Sequence, residues 1–499
     1  SVRSAITPDG VSYLENAELF AHGQFADALQ GYWSPGYSLL LAPAAWIASG
    51  DRAGLLLMAH LLQTALGLAA LWLAAKAIRR RVPVHAQRVV FWGSAWVIIR
   101  WLTPEFLTPD LLLGVLVLCF AIISPARRMR DEVALGLIVG AAFLVKTSVW
   151  PLIAVAITIE VARAWRARDW RSFPAVTAGV GVAVAAVLVV VMSVRAGHPT
   201  LGSVGPLNAR WYLGDLSRRT PDTDQGLHLT RTVLTLPSQT VVMVHDMRPA
   251  TRTYAPWSDP ERWAQGVPAP AVPSFSIRQA KGSWRQNAGE LLRWIAPLGV
   301  GIALLVAWST GARGRAPANR IFERPMLFIG IAAVFVFLAV HAEHRLLAPA
   351  ALLLLLGAWG DPASAQPRPG FRWLAVALIA GIGAQLAIYL PSAAKVAAAR
   401  AASEQPFHDL FGRELALTSA RNVVLVGDFG AWMGILWRHD LRVAAQIGAQ
   451  GEEALSALTD EERLTWLRTQ FGGYALGAAT SVIRRTGTNA SIRLQFSGF

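Results

Sequence analysis

The chain has 499 residues, of which 54% are hydrophobic and only 15% are charged, and its mean hydropathy is +0.41. A soluble protein carries about a quarter charged residues, so this composition argues against a soluble globular enzyme and favours a polytopic helical membrane protein. The net charge of +15 comes almost entirely from Arg. In a membrane chain that excess is first a topology signal, so we expect no nucleic-acid partner. Cys119 is the only cysteine, which excludes an intramolecular disulfide and a cysteine metal cluster.

Residues 1–52 contain no membrane span and are predicted to form a first outer loop. The turn Thr7-Pro8-Asp9-Gly10 leads into a helical pattern that places Tyr13 and Ala17 one turn apart. The turn Trp33-Ser34-Pro35-Gly36-Tyr37 then opens the apolar segment Leu39–Ala48, which is too short to cross and predicts a juxtamembrane or re-entrant helix. Asp9 is therefore expected at the membrane surface, as a general base or cation ligand, or as a helix N-cap.

The apolar runs that follow have the length of membrane-spanning helices. About ten crossings are expected by this length rule. The predicted spans are Ala53–Ile78, Val84–Ile99, Asp110–Ile123, Val133–Lys146, Val149–Ala162, Ala175–Val194, Leu291–Trp308, Met326–His341, Leu346–Trp359 and Trp373–Leu390. Together with the first outer loop they define a predicted membrane domain, residues 1–395.

Short Arg-rich loops between the spans, such as residues 79–81 and 163–171, indicate the cytoplasmic side. The alternate loops then lie outside, including a long polar stretch, residues 195–290. Its lack of periodicity predicts loops and short helices on the membrane, and an active-site lid is a plausible role for it. We expect a bacterial plasma membrane protein with its site on the outer face.

The tail, residues 404–499, has a different character and predicts a small extracytoplasmic α/β domain. The run Asn422–Asp428 reads as a short buried strand that ends in a turn, and Leu441–Ala445 reads as a second strand, with a helical pattern at Ala431–Arg438 between them. Thr459 followed by three acids reads as a capped helix start. The predicted fold class is thus mainly α, with a helical membrane domain followed by this α/β domain.

Ionisable residues of the outer loops should meet at one depth, where such residues usually face a cavity. Asp110 begins a span, so it is either catalytic or a helix cap. Glu105 is either a substrate contact or the partner of Arg100. Lys146, at an apolar hairpin tip, either reaches the interface or neutralises a phosphate.

The short turn Glu343-His344-Arg345 lies between two predicted spans. Arg suits bidentate phosphate binding, so Arg345 is assigned to an anionic lipid head group, with an internal Glu343–Arg345 pair as the alternative. His341 and His344 do not define a metal site, because no third ligand has suitable spacing.

These motifs resemble the GT-C superfamily of integral membrane glycosyltransferases, in the branch of protein O-mannosyltransferases and lipid A aminoarabinose transferases. The resemblance is carried by short motifs in the same order and on the same face. They are Asp9 to Ala17, Trp33-Ser34-Pro35-Gly36-Tyr37 in place of a His-Pro-Pro-like turn, Thr108-Pro109-Asp110, Ala142 to Thr147, and Glu343 to Pro349.

The resemblance implies a GT-C-like fold and a sugar donor on a polyprenyl phosphate, with an extracytoplasmic glycan, lipid or protein as acceptor. Asp9 would then act as base or metal ligand, with Mg²⁺ or Mn²⁺ as the candidate cation, and Asp110 as a second catalytic acid. Lys146, His344 and Arg345 would hold the donor phosphate. The substrate would also contact Tyr13, Glu105 and Glu343.

The alternative function is a transporter or lipid flippase without glycosyl transfer. Such proteins often carry internal repeats, and the sequence shows none. The family also has a spanning helix before the first outer loop, so we expect a further segment upstream of Ser1.

Overall fold

The structure, a computed structural model, describes most of the chain. The described residues are 6–102, 107–124, 128–167, 175–213, 230–246, 252–260, 280–291, 325–357, 422–426, 433–447, 449–471, 479–483 and 492–496, with single positions between 376 and 395. The predicted spans Leu291–Trp308 and Trp373–Leu390 lie largely outside them.

Helices dominate the described residues. In chain order they are α1 Pro8–Ala21, α2 Phe25–Ala28, α3 Pro35–Ala48, α4 Arg52–Arg81, α5 Gln87–Trp96, α6 Asp110–Ile123, α7 Met129–Val145, α8 Trp150–Ala167, α9 Ala175–Ala196, α10 Val204–Leu213, α11 Ala255–Ser258, α12 280–291, α13 Pro325–Val340, α14 His344–Gly357, α15 Met433–Arg438, α16 Ala449–Ser456 and α17 Asp460–Phe471. A π-helical turn, Val97–Trp101, extends α5, and a 3₁₀ turn, Thr147–Val149, joins α7 to α8.

Two of these helices, α4 and α9, are long and apolar enough to cross a bilayer, and four further apolar helices in the described parts are shorter. A third or less of the most apolar window of α4 and of α9 is buried. Their outward faces expose side chains such as Leu68, Trp72, Val187 and Val194, at 59–75% of full exposure. Apolar surface on this scale is unusual in contact with water, so these faces suit the hydrocarbon of a bilayer, as expected for a membrane protein.

The membrane helices pack closely through small residues. On α7, a methyl group at Gly140 would lie 2.5 Å from Cβ of Val184 on α9, so the glycine allows the two helices to touch. A large apolar core joins α4, α5 and α6 to α13 and α14. This core holds the ends of α6 and α14 side by side, where Asp110 and Arg345 lie.

The strands form one six-stranded sheet in the order β1-β2-β4-β3-β5-β6. The tail strands predicted within Asn422–Asp428 and at Leu441–Ala445 are confirmed as β3 and β4, which are parallel. The prediction of loops and short helices for residues 195–290 is wrong at 230–246, because this segment is a β-hairpin that pairs with β4. The strands are β1 Thr230–Thr235, β2 Val241–Asp246, β3 Asn422–Val426, β4 Arg442–Ile447, β5 Ala479–Ile483 and β6 Ile492–Phe496.

The tail packs on the first outer loop. A second apolar core joins α1 and α3 to β3, β4 and α15. Arg52, at the start of α4, pairs with Glu18 of α1 at 3.2 Å and with Asp440 after α15 at 3.1 Å. The domain boundary at residue 404 stays a prediction, but the sheet combines tail strands with a hairpin from the long outer stretch.

Candidate functional site

Asp9 lies in the first turn of α1, and its carboxylate does not cap that helix. The N-cap is Thr7, whose Oγ1 accepts from the backbone N–H of Gly10 at 3.2 Å. The Asp9 carboxylate instead pairs with Arg345, with 2.8 Å between Oδ2 and Nη2. Within the described part of the chain Oδ1 of Asp9 has no hydrogen-bond donor, and the side chain is 15% exposed. Asp9 therefore keeps one carboxylate oxygen available for a ligand.

Lys146 ends α7 in an extended conformation that turns the chain toward α8. The turn after it is fixed by Ser34, whose Oγ accepts from the backbone N–H of Thr147 at 2.9 Å. Gly36 allows this contact, because a methyl group there would lie 2.8 Å from the backbone carbonyl of Leu144. The Ser34-Pro35-Gly36 turn thus supports the backbone that presents Lys146.

Asp110 is the first residue of α6 and lies between the two cations. The residue before it, Pro109, makes no side-chain cap. Oδ1 of Asp110 pairs with Nζ of Lys146, and Oδ2 lies 3.9 Å from Nη1 of Arg345. Its side chain is only 3% exposed, and Gln63 of α4 anchors the preceding loop by donating to the carbonyl of Thr108 at 3.0 Å. Asp110 therefore holds Lys146 and Arg345 near each other.

Arg345 receives its second carboxylate from the turn that precedes α14. Nε of Arg345 donates to Oε2 of Glu343 at 2.7 Å, and Nε2 of His341 lies 2.7 Å from Oε1 of the same carboxylate. Burial acts to raise the pKa of Glu343, but the Arg345 charge and the hydrogen bonds from His341 and Arg345 hold that pKa well below its ordinary value. Glu343 is thus an anion that orients the Arg345 guanidinium.

Tyr13 lies one turn after Asp9 on α1 and faces the same cluster. Its ring packs edge-to-face against Trp33 at 5.2 Å and Tyr37 at 5.4 Å between ring centroids. Burial, followed by the charges of Asp110 and Asp9, raises the pKa of the Tyr13 hydroxyl well above its ordinary value. The hydroxyl therefore remains neutral.

A segment of the long outer stretch crosses α1 and fixes its position. Glu15, a buried carboxylate, accepts from the backbone N–H of Thr253 at 2.7 Å and from the Ser258 hydroxyl. The carbonyl of Thr253 in turn accepts from the backbone N–H of Val443 in β4 at 2.8 Å. Residues 252–258 therefore connect the helix that carries Asp9 to the tail sheet.

Of the eight predicted site residues, five lie in or directly against one ionic cluster, namely Asp9, Tyr13, Asp110, Lys146 and Arg345. Glu343 joins it by pairing with Arg345. His344, the first residue of α14, is next to Arg345 in sequence, and Glu105 lies outside the described residues. Two residues missed as site candidates, His341 and Tyr212, stack at 4.1 Å between ring centroids beside Glu343. The His341-x-Glu343-x-Arg345 spacing was the available signal for the former.

The cluster does not suit a divalent cation. Among the described residues there is no group of three His, Cys, Asp or Glu side chains placed to hold a metal ion. The Asp9 and Asp110 carboxylates are already paired with Arg345 and Lys146, so a metal ion at Asp9 would compete with these cations. The arrangement suits an anion, since both cations keep unused N–H donors within the described part of the chain.

No family model matches the chain, and no curated protein matches it. The chain is similar to crystal structures of ArnT from Cupriavidus metallidurans. For the structure bound to undecaprenyl phosphate the identity is 15%, with 96% of this chain and 90% of that chain covered and a TM-score of 0.41. For the apo structure the identity is 15%, with 95% and 88% covered and a TM-score of 0.38. Similarity this distant assigns no activity. What the contacts themselves define is a mainly helical protein with a partly buried ionic cluster of two cations and three carboxylates.

Proposed function

We propose that this protein is a membrane glycosyltransferase that moves a sugar from a polyprenyl phosphate donor to an extracytoplasmic acceptor, with inversion. The observation that carries the proposal is the pairing of Lys146 and Arg345 through Asp110, beside an Asp9 carboxylate with one available oxygen. The motifs that resemble the GT-C superfamily contain these same residues.

The two cations would bind the donor phosphate. The N–H groups of Arg345 Nη1 make no hydrogen bond among the described residues. Lys146 uses one of its three N–H donors for Asp110, so two remain for a ligand. Both side chains remain partly accessible, at 18% and 22% exposure. Arg345 lies in the first turn of the apolar helix α14, so a phosphate there would leave its polyprenyl chain next to hydrocarbon.

Asp9 would act as the general base. Its available oxygen accepts the proton of the acceptor hydroxyl, and the hydroxyl oxygen attacks the anomeric carbon from the face opposite the phosphate. The bond between that carbon and the phosphate oxygen breaks, and its electron pair stays on the phosphate. Lys146 and Arg345 stabilise the charge that develops there, which is often the largest contribution to catalysis. In this scheme the two cations take the place of the divalent cation.

The acceptor is a hydroxyl-bearing glycan, lipid or protein on the outer side, where we also propose that the cluster opens. A transporter or flippase would use the same cations to carry a lipid phosphate without breaking a bond. Formation of a glycosylated product separates the two.

The test is a transfer assay on membranes with radiolabelled polyprenyl phosphate sugars. Asp9→Asn should lower turnover by about two to four orders of magnitude, the contribution of a general base, with little change in donor binding. Arg345→Ala should weaken donor binding about tenfold to a hundredfold, because a charged hydrogen bond is worth roughly 1.5–3 kcal/mol. Lys146→Ala should be milder if both cations share the phosphate.

The matched control is Glu18→Gln, a carboxylate on the same helix that pairs with Arg52 and lies away from the cluster. It should keep wild-type turnover. Wild-type turnover of Asp9→Asn at saturating substrates would remove Asp9 from the reaction and make Asp110 or Glu105 the next candidate base. Donor binding without any product, across all sugars tested, would favour the transporter.

A further inference from the structure

An aromatic pair lies at the outer edge of the cluster. The rings of Tyr212 and His341 are almost parallel, with 9° between their planes and 4.1 Å between their centroids. This is a stacked arrangement, one of the geometries that aromatic pairs favour. Tyr212 comes from α10 in the long outer stretch, whereas His341 follows α13, so the pair joins two distant parts of the chain.

The His341 ring continues into the cluster. Its Nε2 is 2.7 Å from Oε1 of Glu343, and because Glu343 is an anion, the imidazole N–H donates. The other oxygen of Glu343 accepts from Nε of Arg345, and Nη2 of Arg345 pairs with Asp9. Four consecutive contacts thus connect Tyr212 to the carboxylate of Asp9.

The backbones that carry the two stacked rings are both anchored. The start of α10 is held by Gly31, whose carbonyl accepts from the backbone N–H of Ser203 at 2.8 Å. The end of α10 is held by Ser283, whose hydroxyl donates to the carbonyl of Tyr212 at 2.6 Å. Asn287 of α12 fixes the turn that carries His341, because its Oδ1 accepts from the backbone N–H of Ala342 at 3.1 Å. The stacked rings therefore meet between two supported backbones.

We infer that Tyr212 and His341 are positioning residues that hold Arg345 in its phosphate-binding orientation through Glu343. This inference rests on the proposed function for the identity of the ligand. The long outer stretch thereby contributes to the donor site through one stacked ring, and α10 acts as a support for Arg345.

The experiment measures binding of polyprenyl phosphate to the purified full chain in nanodiscs, together with the thermal unfolding midpoint. Tyr212→Ala should weaken binding by about twofold to tenfold, the range that one aromatic pair contributes. Tyr212→Phe keeps the ring and should bind polyprenyl phosphate as tightly as the wild type. The control Leu207→Ala removes a buried side chain of α10 and leaves the stacked rings in place, so it should lower the unfolding midpoint with little effect on binding.

A double-mutant cycle shows whether Tyr212 acts through Glu343. In a Glu343→Gln background, Tyr212→Ala should add almost nothing to the loss of binding. Full additivity of the two losses, or equal binding losses for Leu207→Ala and Tyr212→Ala, would overturn the inference. If the wild-type protein binds no polyprenyl phosphate, the proposed function fails. A double-mutant cycle of Tyr212→Ala and His341→Ala, measured by unfolding midpoints, still tests whether the two rings interact. Additive shifts of the midpoint would show that the rings are not coupled.

Discussion

Replacing Asp110 by Asn separates the two effects that this residue has on the cations. The side chain keeps its size and one acceptor oxygen, but the negative charge between Lys146 and Arg345 disappears. In the proposed function this charge both holds the cations together and competes with the donor phosphate for them. The substitution therefore removes the repulsion between the Asp110 charge and a bound phosphate, but it also holds Lys146 and Arg345 less firmly in position.

The two effects differ in size. Oδ2 of Asp110 lies 3.9 Å from Nη1 of Arg345, so a phosphate oxygen bound to that nitrogen would be about 6 Å from the carboxylate. At this distance and an effective dielectric constant of about 20, two like charges repel by about 3 kcal/mol. A neutral amide oxygen bonds Lys146 about half as strongly as a carboxylate, a loss of about 1 kcal/mol. The net gain of about 2 kcal/mol predicts that Asp110→Asn binds polyprenyl phosphate about thirtyfold more tightly.

Turnover should change in the opposite direction. Cations that are less firmly held place the phosphate less accurately for displacement even where they bind it more tightly, and a displacement of about 1 Å can cost about a hundredfold in rate. Titration of polyprenyl phosphate and the transfer assay measure the two quantities on the same preparation. Asp131→Asn, whose carboxylate pairs with the exposed Arg130 on α7, is the control and should change neither. If Asp110→Asn weakens phosphate binding as much as Lys146→Ala does, the repulsion argument is refuted.

Two further predictions concern the supports of the cluster. Gly36→Ala should destabilise the protein by about 1–3 kcal/mol and lower turnover, because the added methyl group overlaps the backbone at Leu144; the control Gly179→Ala on α9, where nothing lies within 4 Å, should keep or slightly raise the midpoint in the same thermal unfolding assay. The pKa of Glu343 is held below its ordinary value, so its stabilisation is present above the unfolded-state pKa of about 4.3 and is lost as the pH falls through the lower folded-state value. The difference in unfolding midpoint between the wild type and Glu343→Gln should accordingly be constant from pH 7 to 5 and shrink below about pH 4. A difference that shrinks between pH 7 and 6 would contradict this reading.

The longest helices were predictable because length and hydropathy alone define them. The predicted span Ala53–Ile78 is the helix Arg52–Arg81, and Ala175–Val194 is Ala175–Ala196. The hairpin of β1 and β2 was not predicted, because the polar stretch around it shows no periodicity. Its signal was local, two runs rich in Val and Thr on either side of Pro237-Ser238. Its partner β4 lies about two hundred residues further along, and sequence spacing does not predict such a pairing.

The predicted topology indicated which residues form the cluster, but it did not indicate which of them pair with each other. Placing the outer loops on one face predicts that Asp9, Asp110, Lys146 and Arg345 approach each other. Whether Asp9 caps α1 depends on where the helix begins, and α1 begins at Pro8, which makes Thr7 the N-cap. The stacking of Tyr212 on His341 depends on where α10 lies, and that is set by contacts at Gly31 and Ser283. Such long-range contacts carry no sequence period.

The charge balance of the cluster bears on how a product would leave. Three carboxylates face two cations, so the cations have alternative partners whenever the phosphate departs. In the proposed reaction the leaving polyprenyl phosphate carries more negative charge than the donor and would bind the cations more strongly. Asp9, Asp110 and Glu343 compete for Lys146 and Arg345 and thereby favour release, the step that limits many enzymes. Asp110→Asn should then be inhibited by added polyprenyl phosphate at lower concentrations than the wild type, and equal inhibition of the two proteins would exclude this role for the carboxylate.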